Sequence, residues 1–453
     1  MSALPTLLPV IRSRWPAFAA AACMLLLAAC GGSGPGDGGP TAGSTGADAP
    51  GVATALAAAA SVADATPAPT ATTVGDGASA SAAAAGAEGS PAAARSDPVA
   101  ELPAASEPPP AAPVAAPPAA VVPALPPQLA AGQMAVVYAE GDATSEAIAR
   151  AYQLARGIPA QQVVGVRLPQ GVGHAIGADD FAQLKAGLDA RLGEHVQALL
   201  VTWTRPSRVA GPCSMSLTSA LAFGFDARHC GGCSRTAASP YYDHDTARPW
   251  TELGVRPAMM LGAASLADAN ALIARGLAAE GLMSAGARPR GWLVRTSDTA
   301  RSVRWPDFVQ TVAGALGGVD WRYLDNSGGS GSNVVAESAG VMFYLTGLSR
   351  VPQIDQLHWL PGAVADHLTS YAGVLPDGAG QMPATAWLAA GATGSYGTVE
   401  EPCNHVQKFP RASVLTQRYG RGETLIEAYW KSVQWPGQGL FVGDPLARPW
   451  PRT

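Results

Sequence analysis

The sequence predicts an α/β domain with a mainly parallel sheet that is covered by helices on both faces. Three observations support this prediction. Beyond residue 133 of the 453-residue chain, short apolar runs alternate with amphipathic stretches of about 10–15 residues, as in βαβ units. All but two of the aromatic residues lie in this part. By contrast, residues 31–130 contain 34 Ala, 17 Pro and no aromatic residue, so they cannot form a core of their own.

The amino terminus has the features of an export signal. Arg12 and Arg14 precede an apolar run over residues 17–29, which is too short for a typical membrane span. The run ends in Leu-Ala-Ala-Cys-Gly, which resembles the bacterial lipobox. In that family of signals the cysteine sulfur receives a diacylglycerol, and cleavage leaves the cysteine as the new N-terminal residue. We therefore predict a lipoprotein signal peptide at 1–29 and lipidation of Cys30. An ordinary signal peptide with an incidental cysteine is the alternative.

Residues 30–132 are predicted to be a disordered tether between the lipid and the domain. One base and eight acids give residues 31–130 a net charge of −7. A flexible coil of about 100 residues has an r.m.s. span of roughly 50–60 Å, so the domain can stand well away from the membrane. Gly31 is not the aspartate that often retains lipoproteins at the inner membrane, which favours the outer membrane. The predicted location is therefore the bacterial cell envelope, with the membrane as a partner through the N-terminal lipid.

Beyond the tether, the elements of the domain are predicted from apolar runs, caps and stop signals. The first run, residues 134–139, is suited to a buried strand, and Asp142 or Thr144 caps a helix that runs to Arg156. The Gly and Pro that follow this helix are stop signals. The further predicted strands are 163–168, 196–202, 258–263, 292–295, 321–324, 341–345, 392–398 and 440–442, and the further helices are 179–195, 266–280 and 305–316.

The domain is predicted to comprise residues 133–453, and one segment of it does not follow this alternation of strands and helices. Residues 205–256 are rich in Gly, Pro, Cys and aromatic residues without a clear period, and we predict that they form an insertion. The domain carries 26 basic and 26 acidic residues, so it offers no basic surface for nucleic acid. In a parallel sheet, ligands gather beyond the carboxyl ends of the strands, and four such segments deserve inspection. They follow Thr202, Leu345, Thr398 and Val442.

Four cysteines lie in the domain, namely Cys213, Cys230, Cys233 and Cys403. An exported chain folds in an oxidising compartment, so this even count favours two disulfides, for which three pairings are possible. Free thiols are one alternative. Another is a zinc site built from His229, Cys230, Cys233 and a fourth ligand, for which a single Cys-x2-Cys is weak evidence. The sequence predicts no metal and no cofactor.

Cys403 is the candidate nucleophile of the domain. Its partner would be a histidine that the fold brings near, and the candidates are His358 and His367, with His405 as a neighbour in sequence. Taken alone, each of these histidines is more typical of a surface or structural residue. The Glu-Glu pair at 400–401 does not predict a glycosidase, because adjacent residues of a strand point to opposite faces.

Several segments of the domain are similar to an uncharacterised family of exported bacterial proteins. They read VVYAEGDATSEAIARAYQLARGIPAQQVV, PGAVADHLTSYAG, GATGSYGTVEEPC, GETLIEAYWKSV and GLFVGDPLARP. The similarity runs from about residue 134 to 449, apart from the predicted insertion. That family has no established activity, so the resemblance implies a shared domain but no reaction.

A more distant resemblance connects the same order of segments, and the closing Gly443-Asp444-Pro445-Leu446, with gingipain-type cysteine peptidases. It implies a caspase-like parallel sheet, in which the catalytic His precedes a Gly after one strand and the Cys follows the next strand. In this sequence Thr346-Gly347 occupies the His-Gly position, and no Cys lies near Gly362-Ala363. The resemblance therefore implies a caspase-like scaffold whose two catalytic positions are not filled.

These observations leave three hypotheses on function. The first is a lipid-anchored, non-catalytic binding or assembly protein, whose partner is an unknown protein or an envelope polymer. The second is a cysteine hydrolase or peptidase that uses Cys403 and a histidine. The third is a carbohydrate-binding surface protein, on the basis of the aromatic residues Tyr241, Tyr242 and Trp250. The unfilled catalytic positions favour the first hypothesis.

Overall fold

The computed structural model describes residues 128–314 and 316–452. The predicted signal peptide, the predicted lipidation site Cys30 and most of the predicted tether lie outside these ranges. Within them, Leu129 is buried and its backbone N–H donates to a carboxylate oxygen of Glu427 at 3.3 Å, so packing begins before residue 133. None of the helices in the described ranges combines the length and the apolar character that crossing a membrane requires.

Strands and α-helices alternate along the described ranges. The strands are β1 (Met134–Ala139), β2 (Val163–Val166), β3 (Ala175–Gly177), β4 (Ala198–Val201), β5 (Arg208–Ala210), β6 (Ser214–Ser216), β7 (Ala258–Met260), β8 (Arg290–Arg295), β9 (Asp320–Asp325), β10 (Ala339–Thr346), β11 (His358–His367), β12 (Gly394–Thr398) and β13 (Gly439–Gly443). The helices are α1 (Ala143–Arg156), α2 (Ala178–Asp189), α3 (Leu217–Phe223), α4 (Pro249–Leu253), α5 (Leu266–Ala278), α6 (Trp305–Ala313), α7 (Thr385–Ala390), α8 (Ala412–Gly420) and α9 (Leu425–Ser432).

Ten strands form one sheet in the order β2-β1-β4-β7-β13-β12-β11-β10-β8-β9. Every neighbouring pair in this sheet is parallel except β12 and β13, which are antiparallel. The sheet therefore consists of a first half, β2-β1-β4-β7-β13, and a second half, β12-β11-β10-β8-β9, which run in opposite directions. As a result, the carboxyl ends of the two halves lie at opposite edges of the sheet.

This architecture confirms the predicted α/β class and the mainly parallel sheet. All nine predicted strands are present, and both faces of the second half are buried. Along β10, for example, Phe343 packs into the main core while Tyr344 packs into a second cluster with Trp387 on the other face. Consecutive strand residues point to opposite faces, so each face must have its own covering layer.

The sequence analysis missed β11, which lies between the predicted strands 341–345 and 392–398. Its first half contains Pro361 and Gly362, residues that usually interrupt a strand. Gly362 has a φ of 85°, and its backbone N–H donates to the hydroxyl of Thr393 rather than to a neighbouring strand. The pairing of β11 with β10 is accordingly irregular in this region and becomes regular from Val364 onward.

Helix α1 begins and ends where the sequence predicts. The carboxylate of Asp142 accepts hydrogen bonds from the backbone N–H groups of Thr144 and Ser145, and Gly157 ends the helix in the left-handed conformation. The last turn of α1 is attached to the end of β13. There the buried carboxylate of Asp444 accepts hydrogen bonds from the Tyr152 hydroxyl at 2.8 Å and the Arg156 guanidinium at 2.5 Å.

The predicted insertion, residues 205–256, contains elements of its own. Strand β5 pairs with β3 on one side and with β6 on the other in a separate three-stranded sheet, and α3 and α4 follow. Helix α3 packs against β13 through hydroxyl groups, since Ser216 and Thr218 both donate to the backbone carbonyl of Gly439. The insertion is therefore a folded layer that is attached to the middle of the main sheet.

Candidate functional site

The carboxyl ends of β10 and β11 meet at the edge where a parallel sheet is expected to hold a ligand. Thr346 ends β10 and lies beside His367, which ends β11. Asp366 precedes His367 and points to the opposite face of the sheet. All three side chains are almost completely buried, at about 1% exposure each. This edge therefore holds three buried polar side chains, with the carboxylate of Asp366 on the other face of the sheet from His367.

Hydrogen bonds occupy both ring nitrogens of His367. Its Nδ1 accepts from the indole N–H of Trp387 at 2.9 Å, and an indole nitrogen can only donate, so the ring proton is on Nε2. Nε2 donates to the backbone carbonyl of Met382 at 3.1 Å. Burial lowers the pKa of His367 to about 3, so the ring is neutral near pH 7. A neutral imidazole with no free lone pair cannot take a proton from a nucleophile.

Asp366 forms a buried ion pair with Arg304, which lies just before α6. The two side chains are 2.7 Å apart and each is no more than 3% exposed. Arg304 also donates to the backbone carbonyl of Thr346 at 2.6 Å and to that of Pro410 at 3.4 Å. Burial raises the pKa of Asp366, and the guanidinium counteracts that shift by stabilising the carboxylate. The arginine thus joins the ends of β10 and β11 to the segment before α8.

His358, the other candidate histidine, is remote from this edge. It is exposed at the start of β11, whereas His367 ends the same strand. A strand of ten residues spans about 30 Å, so the two histidines lie at opposite edges of the sheet. The structure therefore does not bring His358 and His367 into one site.

All four cysteines of the domain are paired. Cys213 is bonded to Cys230 and Cys233 to Cys403, with Cα–Cα distances of 5.7 and 5.0 Å. Two disulfides are compatible with a domain in an oxidising compartment outside the cytoplasm. Because its sulfur is bonded to Cys233, Cys403 has no thiolate to act as a nucleophile.

The same pairing leaves no thiolates for the zinc alternative. Cys230 and Cys233 belong to different disulfides, and the ring of His229 stacks on Phe223 with 4.5 Å between the centroids. In the described ranges, the one cluster of three side chains with metal-ligating atoms consists of Glu401 and the Cys233–Cys403 pair. Disulfide sulfurs are not the thiolates that bind zinc, so this cluster does not form a zinc site.

Polar contacts join the insertion to the segment that follows β12. The carboxylate of Glu400 accepts from the backbone N–H groups of Ser214, Gly231 and Gly232 at 3.0–3.3 Å. The buried ammonium of Lys408 donates to the carbonyl of Gly232, and burial lowers its pKa to about 8. Together with the Cys233–Cys403 disulfide, these contacts join the two segments and give Glu400 a structural role.

A cleft of about 250 Å³ opens beside the Arg304–Asp366 pair. We call it the Arg304 cleft. Its lining combines apolar surface with amide, hydroxyl and charged groups. The lining residues are Tyr242, Val303, Arg304, Pro306, Asp307, Gln310, Val406, Gln407, Phe409, Pro410, Arg411, Ser432 and Gln434. A mixed lining of this kind suits a ligand that offers hydrogen-bond acceptors along an apolar body.

The aromatic residues of the insertion do not form one exposed platform. Tyr241 is completely buried, and the ring of Trp250 is covered by the guanidinium of Arg256, whose central carbon lies 3.8 Å from the ring centroid. Tyr242 lines the Arg304 cleft instead. These three residues therefore do not form an exposed aromatic surface on which a sugar ring could stack.

Sequence reasoning found His367 but missed its partner Trp387 and the Arg304 that pairs with Asp366. The only signal in the sequence was the adjacent Asp366, because an acid beside a buried strand end needs a counter-charge from elsewhere in the fold. Comparison of the chain with protein-family models, with curated proteins and with solved structures finds no match. A function for this chain is therefore inferred from its own geometry.

Proposed function

We propose that this chain is a lipid-anchored protein of the bacterial cell envelope, whose α/β domain binds a protein or an envelope polymer and catalyses no reaction. One observation carries the proposal. At the carboxyl ends of β10, β11 and β12, the side chains that would act as base or nucleophile are occupied structurally. His367 is bonded at both nitrogens, Asp366 is paired with Arg304, and Cys403 is in a disulfide.

The strand order supports a caspase-like scaffold as part of the proposal. From β9 to β13 the order is β9-β8-β10-β11-β12-β13, with five parallel strands followed by one antiparallel strand. The resemblance to gingipain-type peptidases implies a catalytic His after one central strand and a Cys after the next. By strand order these positions fall after β10, at Thr346-Gly347, and after β11, at Leu368. Neither is occupied by a catalytic residue of that family.

The proposed anchor rests on the sequence and on the disulfides. Cys30 stands at the end of a short apolar run in a lipobox-like context, and two disulfides are typical of proteins that fold outside the cytoplasm. The tether then lets a binding domain search the space around its anchor. A binding role benefits from such a tether because it raises the local concentration of the domain near membrane-associated partners.

The Arg304 cleft is the proposed contact surface for the partner. It lies at the carboxyl edge of the second half and contains both polar side chains that can donate hydrogen bonds, such as Gln310 and Arg411, and accessible apolar surface such as Val406, which is 40% exposed. An extended polymer with regularly spaced acceptors satisfies these features. Polypeptides and envelope polysaccharides both have such acceptors.

The experiment uses the mature, lipidated protein purified in detergent without reductant. We expect no thiol to react with iodoacetamide and no hydrolysis of peptide, ester or glycoside substrates. In cells, a photocrosslinking residue at Gln310, in the cleft, should capture a discrete partner, while the same residue at the exposed Arg322 of β9 should not.

Two outcomes contradict this proposal. One is hydrolysis that Cys403→Ser abolishes and Cys213→Ser leaves intact, which would restore the cysteine hydrolase. The other is the absence of any crosslinked partner at Gln310. Loss of the lipid anchor is tested separately, since Cys30→Ala should remove the incorporation of a labelled fatty acid and release the protein from the membrane fraction.

A further inference from the structure

A second cavity, of about 310 Å³, lies at the carboxyl edge of the first half. The segment after β4 contributes Thr204, and the segment after β7 contributes Gly262 and Ala263. Helices α5 and α7 form two further walls. We call it the Arg275 cavity. Its volume is at the small end of ligand pockets, which run from about 300 to 1,000 Å³.

Arg275, in the last turn of α5, lines the cavity. Its Nη2 donates to the backbone carbonyls of Leu388 and Ala392 at 2.9 and 3.2 Å, at the carboxyl end of α7. Its Nε is buried without a partner. No carboxylate of the described ranges forms an ion pair with Arg275, and burial alone lowers its pKa. Arginine nevertheless remains protonated in proteins, so the cavity holds an uncompensated positive charge.

Arg275 is half-buried, and the half-buried Arg208 likewise has a carbonyl partner, a buried Nε without a partner and no carboxylate among the described residues, so the informative comparison is with the arginines that are fully buried. Each of the four most deeply buried arginines in the described ranges is paired with at least one carboxylate. The pairs are Arg156 with Asp444 and Glu280, Arg256 with Asp189, Arg304 with Asp366, and Arg418 with Asp243, Asp245 and Glu423. Because Arg275 lines a cavity, a ligand carboxylate there would supply the counter-charge that these four arginines receive from the chain itself.

Asp268 also lines the cavity but does not neutralise Arg275. It lies in the first turn of α5, seven residues earlier, which places it about 10 Å away along the helix axis. Its carboxylate accepts a hydrogen bond from the hydroxyl of Ser265 at 2.7 Å, and the residue is exposed at the rim. A carboxylate at the rim disfavours a second negative charge on the ligand.

Apart from Thr204 and Thr385, the rest of the lining is apolar. Ala263, Leu272, Leu375 and Leu388 are buried, and Ala271 is exposed at the rim, so a ligand can enter there. These residues offer few hydrogen bonds to a polar ligand body. They instead favour an aliphatic or aromatic group, whose removal from water stabilises the complex.

We propose that the Arg275 cavity binds a small organic monocarboxylate, with its carboxylate on the Arg275 guanidinium and its apolar body against α5 and α7. Nη1 is the donor that remains for this carboxylate, because Nη2 donates to two carbonyls and Nε is buried, and hydrogen bonds between charged groups are among the strong ones. This site lies at the opposite edge of the sheet from the Arg304 cleft, so the inference does not depend on the proposed function.

The test is calorimetric titration of the full mature protein with phenylacetate and hexanoate. Phenylacetamide, hexylamine and the dicarboxylate adipate serve as matched probes. We expect both monocarboxylates to bind at least about tenfold more tightly than each of these three probes, because a hydrogen bond to a charged group contributes a factor of this size. Arg275→Gln should weaken phenylacetate binding by a similar factor.

A second variant tests the cavity without touching the arginine. Ala271→Phe places a ring at the rim and should abolish binding, while Ala274→Phe adds the same ring to an exposed position of α5 outside the cavity and should leave it unchanged. Melting temperatures show that each variant is folded. The inference is overturned if neither monocarboxylate binds, if phenylacetamide binds equally well, or if binding survives both Arg275→Gln and Ala271→Phe.

Discussion

Each carboxyl edge of the sheet contains an arginine, but only one of the two arginines has a carboxylate partner among the residues that the structure describes. At the second half, Arg304 is 3% exposed and paired with Asp366, so its charge joins β10, β11 and α8. At the first half, Arg275 has only carbonyl partners and faces a cavity. Arg304 is thus part of a structural ion pair at one edge, whereas at the other Arg275 has no carboxylate partner within the described ranges.

This difference indicates how the two edges respond to change. Substituting one member of a buried ion pair lowers the free energy of unfolding, because the other member is left as a buried, unpaired charge. A group that holds an open cavity reports through ligand binding. The predictions below separate the two kinds of response, and they begin with the covalent reinforcement that only the edge of the second half has.

The largest effect is expected from removing the Cys233–Cys403 disulfide, which closes a long loop next to β12. Its cysteines are 170 residues apart, whereas Cys213 and Cys230 are 17 apart. By loop-closure entropy, Cys233→Ser/Cys403→Ser should lower the free energy of unfolding by about 5 kcal/mol and Cys213→Ser/Cys230→Ser by about 3 kcal/mol. Denaturant unfolding measures both. Equal losses, or a larger loss from the short loop, would contradict this ranking.

The next effect comes from the Arg304–Asp366 pair itself. Arg304→Met leaves a buried, unpaired carboxylate and should lower the free energy of unfolding by about 3–5 kcal/mol. The double variant Arg304→Met/Asp366→Leu removes both charges and should recover a large part of that loss. Urea unfolding of the two variants measures the difference. If the single variant were as stable as the wild type, the ion pair would not be the element that fixes this edge.

The fold class, nine strands and the caps of α1 could be predicted because they depend on local sequence. Alternation of apolar residues determines β1, and the side chain of Asp142 and the backbone of Gly157 determine the ends of α1. Strand β11 could not be predicted in this way, since Pro361 and Gly362 interrupt its pattern. Its second half is held in the sheet by neighbours on β10 that are distant in sequence.

The candidate sites were less predictable for the same reason. Arg304 and Asp366 are 62 residues apart, and Arg275 and Leu388 are 113 residues apart, so only the assembled fold brings them together. The disulfide pairing is equally nonlocal, and the sequence left three possibilities. Local sequence did predict where several strands end, and ligands bind beyond the carboxyl ends of strands in parallel sheets, so the prediction included segments at both edges.

A pH-dependent effect of moderate size is expected at His367. Its pKa is about 3 in the folded protein and near the ordinary value of 6.5 in the unfolded chain. Between these values the unfolded chain binds a proton that the folded protein does not, so its stabilising contribution is present above pH 6.5 and is lost as the pH falls. This residue alone should cost the wild type about 2 kcal/mol between pH 7 and pH 5.

His367→Gln provides the control for this prediction. A glutamine amide can accept from the Trp387 indole and donate to the Met382 carbonyl, but it does not titrate. Denaturant unfolding at pH 7 and pH 5 should therefore show a smaller loss for the variant. Parallel pH dependence of the two proteins would mean that the pKa of His367 is the same in the folded and unfolded chain, and its role at this edge would have to be revised.

The smallest effect on stability is expected at Arg275. Without ligand, Arg275→Gln removes hydrogen bonds to two carbonyls of a half-buried group and leaves no unpaired carboxylate, so unfolding should change by about 1 kcal/mol or less. Arg304→Gln, the same substitution at the other edge, should cost several times more because Asp366 is then left alone. Paired denaturant curves compare them. Equal losses would show that Arg275, like Arg304, is committed to structure, and that the two edges do not differ in the way their charges indicate.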